Sequence, residues 1–157
     1  MSLYFCHYAS PLGNLDLIAH EDALVAVLSQ PATSVQNAIL NPEQPILKQT
    51  QTQLAEYFNG ERREFSIPLA PQGTDFQKRA WQALTTIPYG QTRSYTQQAE
   101  MLGNVKAVRA VGGANGKNPI LIIIPCHRVI GANGKLVGFS SGIEQKQFLL
   151  KLEQQHS

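Results

Sequence analysis

Only two cysteines, Cys6 and Cys126, occur in 157 residues, and they stand far apart in unlike surroundings. Neither has a second cysteine nearby, and the four histidines, His7, His20, His127 and His156, show no metal-ligand spacing with them. A structural zinc site is therefore not expected, and nothing else in the sequence asks for a metal or cofactor. Apolar runs are short, and none approaches the roughly 18 residues that a membrane-spanning helix needs. The opening MSLYFCHYAS lacks a basic leader followed by an apolar stretch, so no export signal is expected. A disulfide between the two cysteines stays open on sequence alone, and reduced thiols in a cytoplasmic protein are the better reading. Charge is sparse too, at 15% of residues, whereas the 43% hydrophobic fraction supports a packed core.

What charge there is falls unevenly. Residues 1–71 hold seven acidic residues against three basic ones, and residues 72–157 hold ten basic against four acidic. A basic half suggests contact with a polyanion; a solvated surface is the plainer alternative. The length leaves room for one ordinary domain or two small ones. The switch in charge coincides with a linker-like stretch, Pro68 to Gly73.

Before that stretch the pattern predicts strands over Leu3–Tyr8, Leu15–Ala19 and Leu24–Leu28, joined by polar turns. Prolines 31, 42 and 45 interrupt the next segment, a helix is predicted over Ile46–Phe58, and Phe65–Ile67 reads as a last short strand. After it, Thr74 caps a predicted helix reaching Leu84, with Phe76, Ala80, Trp81 and Leu84 on one face. Ser94 caps a short helix, Tyr95–Met101, and a turn at Leu102-Gly103-Asn104 leads into a helix over Val105–Ala114. Two short helices around a glycine-containing turn form a helix-turn-helix pattern, here with Lys106 and Arg109 on the second helix. Asn133-Gly134 predicts a hairpin turn between Val129-Ile130 and Leu136-Val137, a small wing. A last helix runs over about Ile143–Glu153 with Phe148, Leu149 and Leu152 inward.

The chemistry concentrates at Ile124-Pro125-Cys126-His127-Arg128-Val129. An apolar run, Ile120–Ile124, is long enough for one buried strand and delivers a thiol to the edge of a core. A free thiol is only a few per cent ionised at neutral pH, so a reacting cysteine needs a base or a positive potential. His127 is adjacent, but in an extended chain its side chain would point to the opposite face, which calls for a turn or a bridging water. A carboxylate must orient the imidazole, and spacing alone does not choose between Glu144 and Glu153.

Together these blocks resemble the O6-alkylguanine-DNA alkyltransferases. The resemblance rests on Asn118-Pro119, Pro125-Cys126-His127-Arg128-Val129, Gly138-Phe139-Ser140-Ser141-Gly142 and the helix with Lys146, Leu149, Leu150 and Glu153. Gly73-Thr74-Asp75-Phe76-Gln77, Ile87-Pro88-Tyr89-Gly90, Ser94-Tyr95 and Arg109-Ala110-Val111-Gly112-Gly113-Ala114 match in order upstream. The match is dense over 73–153, loose before it, and looks most like the small bacterial, constitutive type.

The resemblance implies an α+β fold. Residues 1–70 would form a ribonuclease-H-like α/β domain of three antiparallel strands and a helix. Residues 72–157 would form a mainly helical winged helix-turn-helix domain carrying the whole site. It implies a monomer without cofactor, acting on double-stranded DNA that contains O6-alkylguanine, with O4-alkylthymine as a second candidate substrate. Cys126 would take the alkyl group irreversibly, once per molecule. His127 would accept the thiol proton through a water, Glu153 would hold the imidazole, Asn118 would brace the loop, and Tyr95 would donate to the departing base. Arg109 would fill the space left by a flipped-out nucleotide, with Ser94, Thr96, Ala110, Gly112 and Gly113 along the minor groove. Val129, Phe139, Ser140 and Ser141 would line the base and alkyl pocket.

Each residue taken singly has a plainer reading: Cys126 as a packed cysteine, Arg109 and Lys106 as a wet helix face, Tyr95 as core, Glu153 as a surface carboxylate, Arg128 as a structural ion pair. Ser141 stands where many members carry a second glycine, Phe139 where tyrosine is frequent, and Leu121 where some have proline, which bears on alkyl size and not on the reaction. Binding-only relatives have tryptophan at the cysteine position. A transcription regulator would favour larger base-reading side chains than Ala110, Gly112 and Gly113. A cysteine hydrolase does not usually place its nucleophile and base side by side.

Overall fold

The computed structural model describes residues 2–29, 37–131, 134 and 142–157. The chain divides into two compact units: Met1–Gln72 with Pro119–Leu121, and Gly73–Asn118 with Ile122–Ser157. Sheet and helices together give the expected α+β class. Among the described residues no helix is long and apolar enough to cross a membrane.

In the first unit, β1 (Tyr4–Ser10) and β2 (Gly13–Ala19) pair antiparallel around a tight turn. Gly13 takes φ +98° there, a conformation that suits glycine, while the Ser10 hydroxyl donates to its carbonyl at 2.7 Å. β3 (Leu24–Leu28) pairs antiparallel with β2. A fourth strand, β4 (Ile39–Leu40), joins the far side of β1 in parallel, giving the order β3-β2-β1-β4. Only antiparallel pairing was expected; β4 is two residues long and exposed, so no alternation announces it. Helix α1 (Pro45–Phe58) is capped by the Gln44 side chain, has Pro at its start, and buries Leu47, Leu54 and Tyr57.

Two expectations fail in this unit. Phe65–Ile67 is not a strand, because the Gln53 side chain takes the Ser66 backbone N–H at 2.9 Å and gives its own N–H to the Ser66 hydroxyl. The sheet contact comes instead at Leu69, which bridges Leu24. Nor is Ile120–Ile124 a strand, although every residue in it is buried. Ile120 alone bridges Val27, and the chain then turns, with Ile122 at φ +72°. A short apolar run reports burial, not conformation.

In the second unit, α2 (Asp75–Thr85) and α3 (Tyr95–Met101) each begin with a full capping box, Thr74 with Gln77 and Ser94 with Gln97. A 3-10 turn over Val105–Ala107, capped by Asn104, precedes α4 (Val108–Gly116), so the second helix of the helix-turn-helix starts three residues later than expected. Trp81 is buried and its indole N–H donates to the Ala114 carbonyl at 2.8 Å, tying α2 to α4. β5 (Arg93–Ser94) pairs in parallel with β6 (Val129–Ile130). Of the expected wing, Leu136-Val137 and Asn133 lie outside the described residues; Gly134 donates to the Gly131 carbonyl at 2.9 Å.

Helix α5 (Ile143–His156) turns Lys146, Leu149, Leu152 and Glu153 inward. Phe148, expected inside, is 39% exposed. Two charged side chains hold inward positions on this helix, so hydrophobicity alone assigns its inner face wrongly.

Candidate active site

Pro125 brings the chain into the site with φ −83° and ψ 67°, an inverse γ-turn in which Cys126 N–H reaches the Ile124 carbonyl at 2.8 Å. Cys126–Arg128 then form one 3-10 turn, closed by Arg128 N–H to the Pro125 carbonyl at 3.0 Å. Cys126 and His127 are therefore not extended. Consecutive side chains on such a turn still diverge by about 120°, so adjacency in sequence does not put imidazole against thiol.

His127 is fully buried, and its Nε2 lies 2.6 Å from Glu153 Oε2. The same carboxylate accepts Arg128 Nε on Oε1 at 2.8 Å, Arg128 Nη2 on Oε2 at 3.0 Å and the Gly90 N–H at 3.2 Å. Arg128 Nη1 donates to the Ile87 carbonyl at 2.7 Å. Burial alone would raise the Glu153 carboxyl, but the hydrogen bonds and charges of His127 and Arg128 outweigh it and hold the group well below the usual carboxylate range. Burial lowers the His127 pKa; Glu153 opposes this, while Arg128 and Lys146 add to it. The imidazole is thus neutral beside an ionised carboxylate. Since that carboxylate only accepts, Nε2 carries the hydrogen, leaving Nδ1 as a lone-pair acceptor. Nδ1 is buried and has no hydrogen-bond partner among the described residues.

Cys126 is 3% exposed. Burial pushes its thiol up to about 11, against a hydrogen bond from Asn118 and the charge of Lys146, which both lower it. Asn118 also donates to the Ile124 carbonyl at 2.7 Å, so one carboxamide braces the turn and touches the thiol. Lys146 is fully buried, with Nζ 5.9 Å from the centre of the Tyr95 ring. Burial lowers its pKa to about 8, and the nearby thiol acts in the opposite sense. Tyr95 is half-buried and its pKa is raised, by burial first and then by Cys126, which keeps the hydroxyl protonated and able to donate.

The expected nucleic-acid face lies on α3 and α4. Thr96, Arg109, Ala110 and Gly113 are exposed, and Gly112 is half-buried. A Cβ at Gly113 would meet nothing within 4 Å, and at Gly112 only the Tyr95 ring at 3.9 Å, so the protein's own packing does not demand glycine at either position. The Ser94 hydroxyl accepts the Gln97 N–H as the α3 cap, and Val129 N–H donates to the Cys126 carbonyl, so both groups already serve the fold. Phe139, Ser140 and Ser141 lie outside the described residues.

Residues 75–155 match the sequence pattern of the DNA-binding domain of 6-O-methylguanine DNA methyltransferase, and residues 3–71 match its ribonuclease-like domain. The chain belongs to the 6-O-methylguanine DNA methyltransferase family. Among its relatives, the methylated-DNA–protein-cysteine methyltransferase of Methanosarcina acetivorans is 46% identical, covering 96% of this chain and 98% of the relative. That of Mycobacterium bovis is 48% identical over 92% and 88%. The crystal structure of Mycobacterium tuberculosis OGT in complex with DNA superposes with a TM-score of 0.92 at 46% identity, covering 98% of this chain and 94% of that one.

Within this methyltransferase-family site, three features had no place in the sequence reading as functional groups. Lys146 belongs to the matching helix, and it is a buried cation whose charge lowers the Cys126 pKa. Its spacing of seven from Glu153 puts both on one helix face, a signal that was available. Arg128 is the structural ion pair expected of it, and it also adds to the burial that lowers the His127 pKa. The Gly90 N–H on Glu153 comes from a turn sixty-three residues away and had no local signal.

Proposed function

We propose that this protein repairs DNA by carrying the alkyl group of O6-alkylguanine onto Cys126, as a methylated-DNA–protein-cysteine methyltransferase acting once per molecule. The observation that carries the reading is the neutral His127, its Nε2–H held by Glu153 and its Nδ1 left as an acceptor in the turn that presents Cys126. The thiol proton passes to Nδ1 through a water, and Sγ attacks the alkyl carbon in line with the breaking C–O6 bond. The bond electrons return to the guanine, which takes a proton from the Tyr95 hydroxyl and leaves neutral. Lys146 and Asn118 stabilise the thiolate during this step, in keeping with their lowering of the thiol pKa. Without turnover, Cys126 is a reagent that is consumed.

DNA is the partner that family membership supports, and the finer docking is our reading. Helix α4 enters the minor groove, its exposed Ala110 and Gly113 admitting the sugar-phosphate backbone closely, and Arg109 occupies the space of the extruded nucleotide. Ser94, Thr96 and Gly112 line this approach. Val129 lines the pocket for the flipped base. The protein acts as a cytoplasmic monomer, and O4-alkylthymine is a second substrate to be tried. Cys126→Ala should retain binding to duplex DNA carrying O6-methylguanine, measured by fluorescence anisotropy, and transfer nothing; transfer by this variant would refute the assignment of the acceptor.

A further inference from the structure

Helix α4 reads Val-Arg-Ala-Val-Gly-Gly-Ala-Asn-Gly, and only Val111, Ala114 and Asn115 are buried along it. Such a helix has few large side chains to interlock with its neighbours, and its glycines weaken the helix itself. Its apolar packing rests on Val111 and Ala114, and the Trp81 N–H on the Ala114 carbonyl holds it to α2. The buried polar bonds at its C-terminal end are directional and add to that hold. Asn115 Nδ2 donates to Gln98 Oε1 at 2.7 Å, and Gln98 Nε2 donates back to Asn115 Oδ1 at 3.0 Å. Gln98 Nε2 also donates to the Ala80 carbonyl of α2 at 3.1 Å. Gln98 is fully buried and Asn115 is 2% exposed, so neither carboxamide has water as an alternative partner.

We propose that the Gln98–Asn115 pair is a positioning device that sets the rotation of α4 against α3, and with it the aim of Arg109 relative to Tyr95. Gln98 lies three residues beyond Tyr95 on α3, and Asn115 six beyond Arg109 on α4, about 9 Å along the helix axis. The clasp thus joins the helix that holds the proton donor to the helix that carries the wedge. A reciprocal pair of amide bonds permits one rotation, whereas a patch of glycine and alanine permits several. The proposal rests on the repair reading above, because it assigns the clasp to base extrusion and not to the alkyl-transfer step.

The test separates those two steps. Gln98→Leu/Asn115→Leu replaces both carboxamides by apolar groups, and Asn115→Ala truncates one side only. Each is assayed for transfer to Cys126 from O6-methylguanine in duplex DNA and from free O6-benzylguanine, with the folded fraction set equal by circular dichroism. We expect both variants to lose about tenfold or more in the duplex rate while the free-base rate stays at the parental value. An unchanged duplex rate in folded protein would overturn the proposal, as would an equal loss with both substrates. The parental protein's own transfer from O6-methylguanine in duplex DNA checks the repair reading separately; its absence would overturn that reading.

Discussion

Arg128 grips Glu153 with two parallel hydrogen bonds, 2.8 and 3.0 Å, and the guanidinium so held adds to burial in lowering the pKa of a third residue, His127. Burial is the largest influence on that imidazole, and Glu153 works against it. With the guanidinium already on the carboxylate, the buried imidazole stays neutral and keeps an acceptor at Nδ1.

Arg128→Met should therefore change the pH profile and not merely the rate. Losing the cation removes one of the influences that lower the His127 pKa, so the imidazole takes a proton at higher pH. Alkyl transfer should fall at neutral pH and recover as pH rises, as read from a pH–rate profile with the free base. Breaking the buried pair should also cost about 3–5 kcal/mol in urea unfolding.

The unmodified protein should lose stability on acidification in a defined window. His127 and Glu153 both have folded pKa values below their ordinary 6.5 and 4.5. A depressed pKa contributes stability that is present above the ordinary value and lost as pH falls toward the folded one. Urea midpoints should accordingly decline below about pH 6.5 and more steeply below about 4.5. A flat profile between pH 7 and 4 would contradict the charge states assigned here.

Lys146→Met should slow transfer at neutral pH by about one to two orders of magnitude, because an opposite charge at close range shifts a pKa by 1–3 units. The thiol titration, followed by ultraviolet absorbance, should move up from about 11. Lys146 itself is depressed from 10.5 to about 8, so it contributes stability above pH 10.5 that is lost as pH falls through 8. The variant should lack that part of the pH dependence, seen as the difference between the two unfolding curves.

Arg109→Ala should discriminate between duplex and free base. A wedge that replaces an extruded nucleotide offsets a few kcal/mol of unstacking, so duplex repair should drop about tenfold to a hundredfold. Reaction with free O6-benzylguanine should be unchanged, since nothing has to be flipped.

Much of the second unit was legible because its signals are local. Thr74 and Ser94, each followed three residues later by glutamine, announce helix starts that the structure keeps. The Pro125-Cys126-His127-Arg128 block is contiguous, so its placement at one turn could be expected. What stayed hidden depends on partners distant in the chain. The conformation of Ile120–Ile124 is decided by Val27 and Asn118, not by its own apolar pattern. The inward face of α5 is decided by Arg128 and His127 meeting Glu153, against the hydrophobicity of Phe148. Gln98 and Asn115 look like surface amides until the two helices that carry them are packed.

The most direct test of the central claim is the intact mass of the protein after incubation with an excess of duplex DNA carrying one O6-methylguanine. The expected result is a gain of one methyl group per molecule, located by peptide mapping on Cys126 and not increasing with further substrate. A mass that stays at the starting value while the lesion disappears, or a methyl group found on Cys6, would contradict it.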